Sequence, residues 1–357
     1  MGDYMKRLSK LKPLVPYGVL FFLMWILFAF NSFNIDRPAY DFFYQEIKAG
    51  NTLSHTNQLE KLFSLLLEGF VALGIDFQFL LVLISFLGLT ALFFVSRQFS
   101  RDHFWVMLLY AFFPYFLDIV QIRNFIALAI IFVSTWFLFK EKKYGLLVYL
   151  AGNLLAFFFH RSAIFFLLIP IVYFLSLKMT AILSGIGLVL GVLGVKLLLP
   201  MFAAMETPFD RYDVYFTDSI RWEAQILFVG YLAFNIFIMY GINYLIEHGN
   251  YDMTPRDLRI QGFTFKIAIA LTMIYPLLIL TVDFYRIYRN FFIFFYMVYC
   301  LLIFRIKPKT KKERYIKWVL LAAIVCFVLA STGAFLWFSN REGVIYPILQ
   351  HNLLWSF

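Results

Sequence analysis

Charge is scarce in this chain. Only 15% of its 357 residues are charged and 62% are hydrophobic, against about 25% charged in a soluble domain. That balance excludes a soluble enzyme, a disordered protein and a conventional nucleic-acid binder. Cysteine is scarcer still. Cys300 and Cys326 lie inside apolar runs, which excludes a disulfide framework or a thiolate metal site and leaves packing as their expected role. The sequence has no HExxH, no P-loop lysine motif and no Asp-x-Asp with a metal role, so no metal and no cofactor is expected. Tandem repeats and low-complexity tracts are missing as well, and residues 1–357 read as a single membrane domain. Nor are there the alternating, weakly apolar strands of an outer-membrane barrel.

What is present is long apolar runs dense in Phe, Leu and Ile. Hydrocarbon offers the backbone no hydrogen-bond partners, so each run must be helical. The expected fold is therefore all-α and polytopic, with about eleven transmembrane helices near residues 14–33, 77–96, 104–117, 124–139, 145–159, 162–177, 181–199, 224–246, 261–282, 291–304 and 318–338. The first run follows Lys6, Arg7, Lys10 and Lys12 with no small-residue cleavage site after it, and reads as a retained span.

Basic residues set the orientation. With a cytoplasmic N-terminus, the inner segments hold 19 of the 31 Lys and Arg residues, including the basic loop 305–317. The formal charge of +10 is thus a topology signal rather than a mark of a polyanion partner. The outer side differs, because eight of its ten basic residues are arginine: Arg37, Arg123, Arg161, Arg211, Arg221, Arg286, Arg289 and Arg341. Two outer segments are long, 34–76 and 200–223. In the first, Leu59, Leu62, Phe63, Leu66, Phe70 and Leu73 form an apolar stripe opposite Glu60, Lys61, Ser64 and Glu68. This predicts an amphipathic helix in the outer interface that closes at Gly74. Asp36, Tyr40 and Tyr44 fall at i, i+4 and i+8 on a second short helix that Pro38 helps to start.

Spans 104–117, 145–159 and 291–304 are too short for a hydrocarbon core about 30 Å thick. Their outer turns carry Asp118, Gln121, Arg123 and Asn124; His160 and Arg161; and Asp283, Arg286, Arg289 and Asn290. Charge held in lipid is costly, so these turns should line a wet chamber below the outer interface. Arginine makes bidentate hydrogen bonds to phosphate and does not titrate. Arg286 and Arg289, three apart, can clamp a diphosphate from one helix face; ordinary ion pairing, such as Asp283 with Arg286, is the alternative. His160, after Phe157, Phe158 and Phe159, is either a structural helix end or a proton acceptor kept neutral by Arg161. Gly185, Gly187, Gly191 and Gly194 lie within a span and indicate close helix packing rather than a nucleotide loop. Outer aromatics such as Tyr40, Tyr44, Tyr285 and Tyr288 belong either to the interfacial belt or to sugar contacts.

The order Asp36–Tyr40–Tyr44, Glu60 heading an amphipathic helix, Gln121-Ile122-Arg123-Asn124 opening a span and Phe159-His160-Arg161-Ser162-Ala163 opening another resembles the EpsG family. These are Wzy-like polysaccharide polymerases of bacterial exopolysaccharide and capsule clusters. The resemblance covers residues 30–305. It implies a glycosyltransferase of the bacterial plasma membrane, polymerising undecaprenyl-diphosphate-linked repeat units at the outer leaflet. Arg123, His160 and Ser162 are then site positions, joined by Asp36 and Glu60. The expected catalytic set is His160, Arg123, Asp36 and Glu60. Arg161, Arg286, Arg289, Ser162, Gln121, Asp283, Arg211 and Tyr40 are the expected substrate contacts. The mechanism is expected to be metal-independent, with arginine charge stabilising the departing diphosphate. A flippase and a chain-length regulator are the partners implied besides the lipid bilayer. The competing readings are a lipid-linked oligosaccharide flippase, which should carry polar residues in mid-span and two related halves, and a ligase using the same donor.

Overall fold

The computed structural model describes residues 14–51, 59–140, 143–203, 222–249, 251–280, 282–338 and 340–356. These are overwhelmingly helical, and the described chain divides into two compact units. The first takes residues up to Leu167 together with Leu329–Phe357, and the second Leu168–Val328. Six helices are long and apolar enough to cross a membrane: Phe77–Phe99, Ile122–Phe139, Leu177–Val195, Gln225–His248, Pro255–Leu278 and Lys311–Phe338. The shorter apolar helices are Val15–Ala29, His103–Phe112, Gly145–Phe159, Arg161–Phe174 and Phe292–Phe304. Among the described residues each apolar run read from the sequence is helical over most of its length, as in an all-α membrane protein.

In the first unit, α1 (Leu14–Ala29) packs on α4 (Phe77–Phe99), α4 on α7 (Ile122–Phe139), and α7 on α8 (Gly145–Phe159). Between α1 and α4 lie α2 (Arg37–Lys48) and α3 (Lys61–Ala72), which pack on each other, with α3 also reaching α8. Pro38 lies in the first turn of α2 as expected, while Asp36, read as part of the helix, stands at its N-cap position without a side-chain capping bond. Helix α3 closes at Gly74, whose φ of +67° is a conformation that glycine enters without steric cost. Its buried face differs from the expected stripe. Phe63, Ser64, Leu67 and Phe70 are inside while Leu73 is 74% exposed. Ser64, assigned to the polar side, is buried because α3 packs against protein on the face that a bilayer-floating helix would leave wet. Its hydroxyl is satisfied by Glu68 Oε1 at 3.1 Å.

The expected span 104–117 is interrupted. Helix α5 (His103–Phe112) ends at Phe113-Pro114, and α6 (Tyr115–Val120) restarts beyond it. Proline has no N–H to continue the helical ladder, which explains the break. Gln121 then caps α7. The C-terminal residues return to the first unit through α17 (Tyr346–Gln350) and the hairpin β1 (His351–Asn352) with β2 (Trp355–Ser356). Backbone bonds Ser32 N to His351 O (2.9 Å) and Leu353 N to Phe30 O (2.8 Å) tie this hairpin to the end of α1. None of this docking was expected from the sequence.

The second unit holds α9 (Leu168–Phe174), α10 (Leu177–Ala203), α11 (Trp222–His248), α12 (Pro255–Ala270), α13 (Tyr275–Leu280), α14 (Tyr285–Arg289), α15 (Phe292–Phe304) and most of α16 (Lys311–Thr332). Helix α15, expected as a short span, has every side chain from Phe292 to Leu302 buried. Being apolar on all sides, it sits inside the protein rather than against lipid. By contrast only 11% of the span on α10 is buried. Two starts correct the sequence reading. Helix α12 begins at Pro255, six residues before the expected Gln261, because Thr254 and Asp257 form a capping box. Helix α16 begins at Lys311, within the segment read as the basic loop 305–317. A Cβ on Gly187 or Gly191 would stand 2.5 Å from Met273 or 2.6 Å from Pro276, whereas Gly185 and Gly194 meet nothing within 4 Å. Two of the four glycines therefore serve close packing. Cys300 is buried as expected, while Cys326 is exposed on α16.

Candidate functional site

Three separate elements of the first unit converge on Glu60. The residue is the N-cap of α3, with extended backbone (φ −68°, ψ 142°), and its side chain makes no capping bond. It points instead to Arg123 and His160. Arg123 lies in the first turn of α7, just after the Gln121 break, and its Nη1 donates to Glu60 Oε2. His160 closes α8, where its N–H bonds Ala156 O at 2.8 Å and its extended backbone ends the helix. His160 Nδ1 stands 3.2 Å from Glu60 Oε1. The backbone N–H of Arg161 approaches the same oxygen at 3.4 Å. The Glu60 side chain is only 10% exposed, that of His160 13% and that of Arg123 27%.

The electrostatics follow from this crowding of donors. Burial raises the Glu60 carboxyl, but the His160 hydrogen bond and the charge of Arg123 outweigh it and bring the group down to about 2. Glu60 is thus ionised throughout the neutral range and acts as an acceptor only. An ionised carboxylate only accepts, so the Nδ1 of His160 that faces it is the donor of this pair and Nε2 points away from Glu60. Nε2 is buried. A carboxylate held this firmly is a poor base, so Glu60 positions the imidazole and guanidinium.

Tyr40 covers the other side of Arg123, with its ring centroid 5.9 Å from the guanidinium carbon. Burial pushes the Tyr40 phenol up, Arg123 opposes this, and the Asp36 charge adds to the rise. Asp36 itself heads α2 four residues before Tyr40. Two polar atoms here are buried without a hydrogen-bond partner among the described residues, Arg123 Nε and Ser162 Oγ. Buried polar atoms are nearly always satisfied, so each of these two is a group that a polar ligand can complete.

The turn after His160 is a 3₁₀ segment, Arg161–Leu167, folded back on α8. Asn153 Nδ2 donates to Ala163 O at 2.8 Å and Tyr149 OH to Phe166 O at 2.6 Å. These two buried positioning residues were missed from the sequence. An Asn inside an otherwise apolar run is the signal that could have found them, because such a group must be bonded to something.

Asp283, Arg286 and Arg289 belong to the second unit. There Arg286 pairs with Asp283 at 3.6 Å and donates to its backbone carbonyl at 2.8 Å, while Arg289 is buried at 4% exposure. Arg37 is structural, bonding Asp41 (2.8 Å), Gln78 (3.0 Å) and the Asn31 carbonyl (3.1 Å). Arg341 pairs with Glu342 at 3.2 Å. Arg211 lies outside the described residues, as does most of 200–223. Asp118 is fully buried and takes the Tyr110 hydroxyl at 2.6 Å. Among the described residues no group of three or more His, Cys, Asp or Glu side chains is placed to hold a metal ion.

Residues 14–347 match the EpsG family, a span that includes all of these positions. The chain belongs to the EpsG family. No curated protein and no solved structure matches it. Within this EpsG-family chain, the four segments that carried the resemblance supply Tyr40, Glu60, Arg123 and His160, and the fold brings those four together.

Proposed function

We propose that this protein polymerises undecaprenyl-diphosphate-linked oligosaccharide repeat units into exopolysaccharide or capsule at the outer leaflet of the bacterial plasma membrane. The observation that carries this reading is the convergence of Arg123, His160 and Glu60 from three elements of an EpsG-family membrane protein. The hydroxyl of the incoming unit attacks the anomeric carbon of the donor sugar. Its proton passes to His160 Nε2, the anomeric C–O bond to the diphosphate breaks, and the lipid diphosphate departs with both bonding electrons.

Each residue then has a distinct role. Arg123 faces the charge that grows on the departing oxygens, where a fixed guanidinium stabilises the transition state without metal. Glu60 holds the His160 tautomer and keeps Arg123 in place. Ser162 Oγ and Arg123 Nε are the groups offered to sugar or phosphate oxygens, and Arg161 brings a further positive charge beside them. Tyr40 buttresses the guanidinium. A single displacement of this kind inverts the anomeric centre, and a product linkage of retained configuration would exclude it.

The test is incubation of purified, lipid-reconstituted protein with undecaprenyl-diphosphate repeat units, with products resolved by length. A ladder of lipid-linked oligomers that disappears in Arg123→Ala supports the polymerase. Single units left intact by folded protein move the weight to a flippase or a ligase.

A further inference from the structure

Helices α4, α7 and α8 enclose an apolar cleft of about 680 Å³ within the first unit, a volume typical of a ligand site rather than of packing error. Its walls run from Leu80 to Ala91, from Ile126 to Phe137 and from Val148 to Phe159. Each wall covers eleven residue steps, or about 16 Å of helix. Small residues make the room: Gly88, Ala91, Ala129, Ala151 and Gly152 line it. The one polar side chain in its lining, Ser134, is already satisfied by Ile130 O at 2.8 Å. Nothing in the cleft can recognise a sugar or a phosphate.

One end of the cleft is lined by chain neighbours of the Glu60 cluster. Phe159 is bonded directly to His160, and Ile126 lies one helical turn from Arg123 on the same face of α7. Leu66, on the helix that Glu60 caps, completes that end. An apolar furrow whose end residues are bonded to His160 and one helical turn from Arg123 matches an amphiphile with an anionic head and a long apolar chain. We infer that this cleft holds the diphosphate-proximal part of a polyprenyl chain, with the diphosphate beside Arg123. This deepens the polymerase reading and rests on it for the identity of the lipid.

Two measurements test it. In the first, the reconstituted protein is irradiated with a polyprenyl diphosphate carrying a photoreactive group within the chain, and adducts are mapped. Adducts on α4, α7 or α8 that undecaprenyl diphosphate displaces and phosphatidylglycerol does not are the expected result. Equal displacement by phosphatidylglycerol, or adducts elsewhere, overturns the inference in favour of an ordinary lipid groove. In the second, Ala151→Phe fills the cleft at an exposed lining position outside the reacting cluster. Losing the burial of a few methylene groups should raise the apparent KM for the long-chain donor about tenfold, with a short-chain prenyl donor unaffected. Equal effects on the two donors would also overturn it. The adducts need no turnover, so the cleft is judged even where no donor yields polymer and the polymerase reading itself fails.

Discussion

The imidazole of His160 and the carboxylate of Glu60 meet at 3.2 Å across one hundred residues of chain. Arg123 joins them on the second carboxylate oxygen. One buried anion thereby fixes the position of a cation and the tautomer of a base. The arrangement is economical because neither partner of Glu60 could be held so closely by its own helix: Arg123 stands in the first turn of one helix and His160 just past the end of another.

Replacing Glu60 by Gln should keep the shape but withdraw the charge that orders both partners. Transfer is expected to fall by about 10–100-fold, the usual cost of losing a group that orients a functional histidine. The pH profile of the residual rate should shift, since the His160 ring loses its ionised partner. An unchanged profile with unchanged rate would remove Glu60 from the site.

Stability carries the same signature. The Glu60 carboxyl is lowered to about 2 from its ordinary 4.5, so its contribution is fully present above about pH 4.5 and disappears as pH falls towards 2. It amounts to at most about 3 kcal/mol. Thermal unfolding in detergent should separate wild type from Glu60→Gln at pH 6 and bring the two together near pH 2. A constant difference over that range would contradict the pairing.

Arg123→Lys should behave almost as badly as Arg123→Ala. Lysine keeps the charge but loses the planar fork that serves Glu60 and a phosphate together. The expected loss of transfer is about 10²–10³-fold, with normal membrane insertion, and a chelator should leave the wild-type rate unchanged. Near-normal chain lengths in the lysine variant would show that charge alone suffices.

His160→Ala should lower the rate of transfer by about 10²–10⁴-fold while donor binding changes little. Single-turnover kinetics beside equilibrium binding of the lipid donor separates the two. Weakened binding with an unchanged rate constant would assign His160 to structure.

Asn153→Leu tests how the turn after His160 is held. The variant leaves the Ala163 carbonyl without its donor, at a cost of about 1–3 kcal/mol. Transfer should fall with stability, and a partial return is expected in Asn153→Gln, which restores the amide. Loss of stability with full activity would mean that this turn does not position His160.

The sequence alone determined the class of the protein and the place of its charge. Long runs of Phe, Leu and Ile have one solution in hydrocarbon, so the helices read at 77–96, 124–139 and 145–159 were legible without a structure, each within three residues of its observed ends. Pro38 and Gly74 announced the start of α2 and the end of α3, because a fixed φ and a positive φ are local chemistry. The segments carrying Glu60, Arg123 and His160 were legible as candidates. Their mutual contact was not, since a pairing across 63 or 100 residues leaves no periodic trace in one chain. Nor could composition tell which arginines are occupied: Arg37 is absorbed by Asp41, Gln78 and a carbonyl, while Arg123 keeps a buried Nε with no partner among the described residues. Tertiary packing decided these questions, as it decided that Ser64 turns inward, that α15 is enclosed by protein and that α4, α7 and α8 leave a cleft between them. A hydrophobic residue satisfies lipid and protein neighbours equally, so only the folded chain shows which of the two it faces.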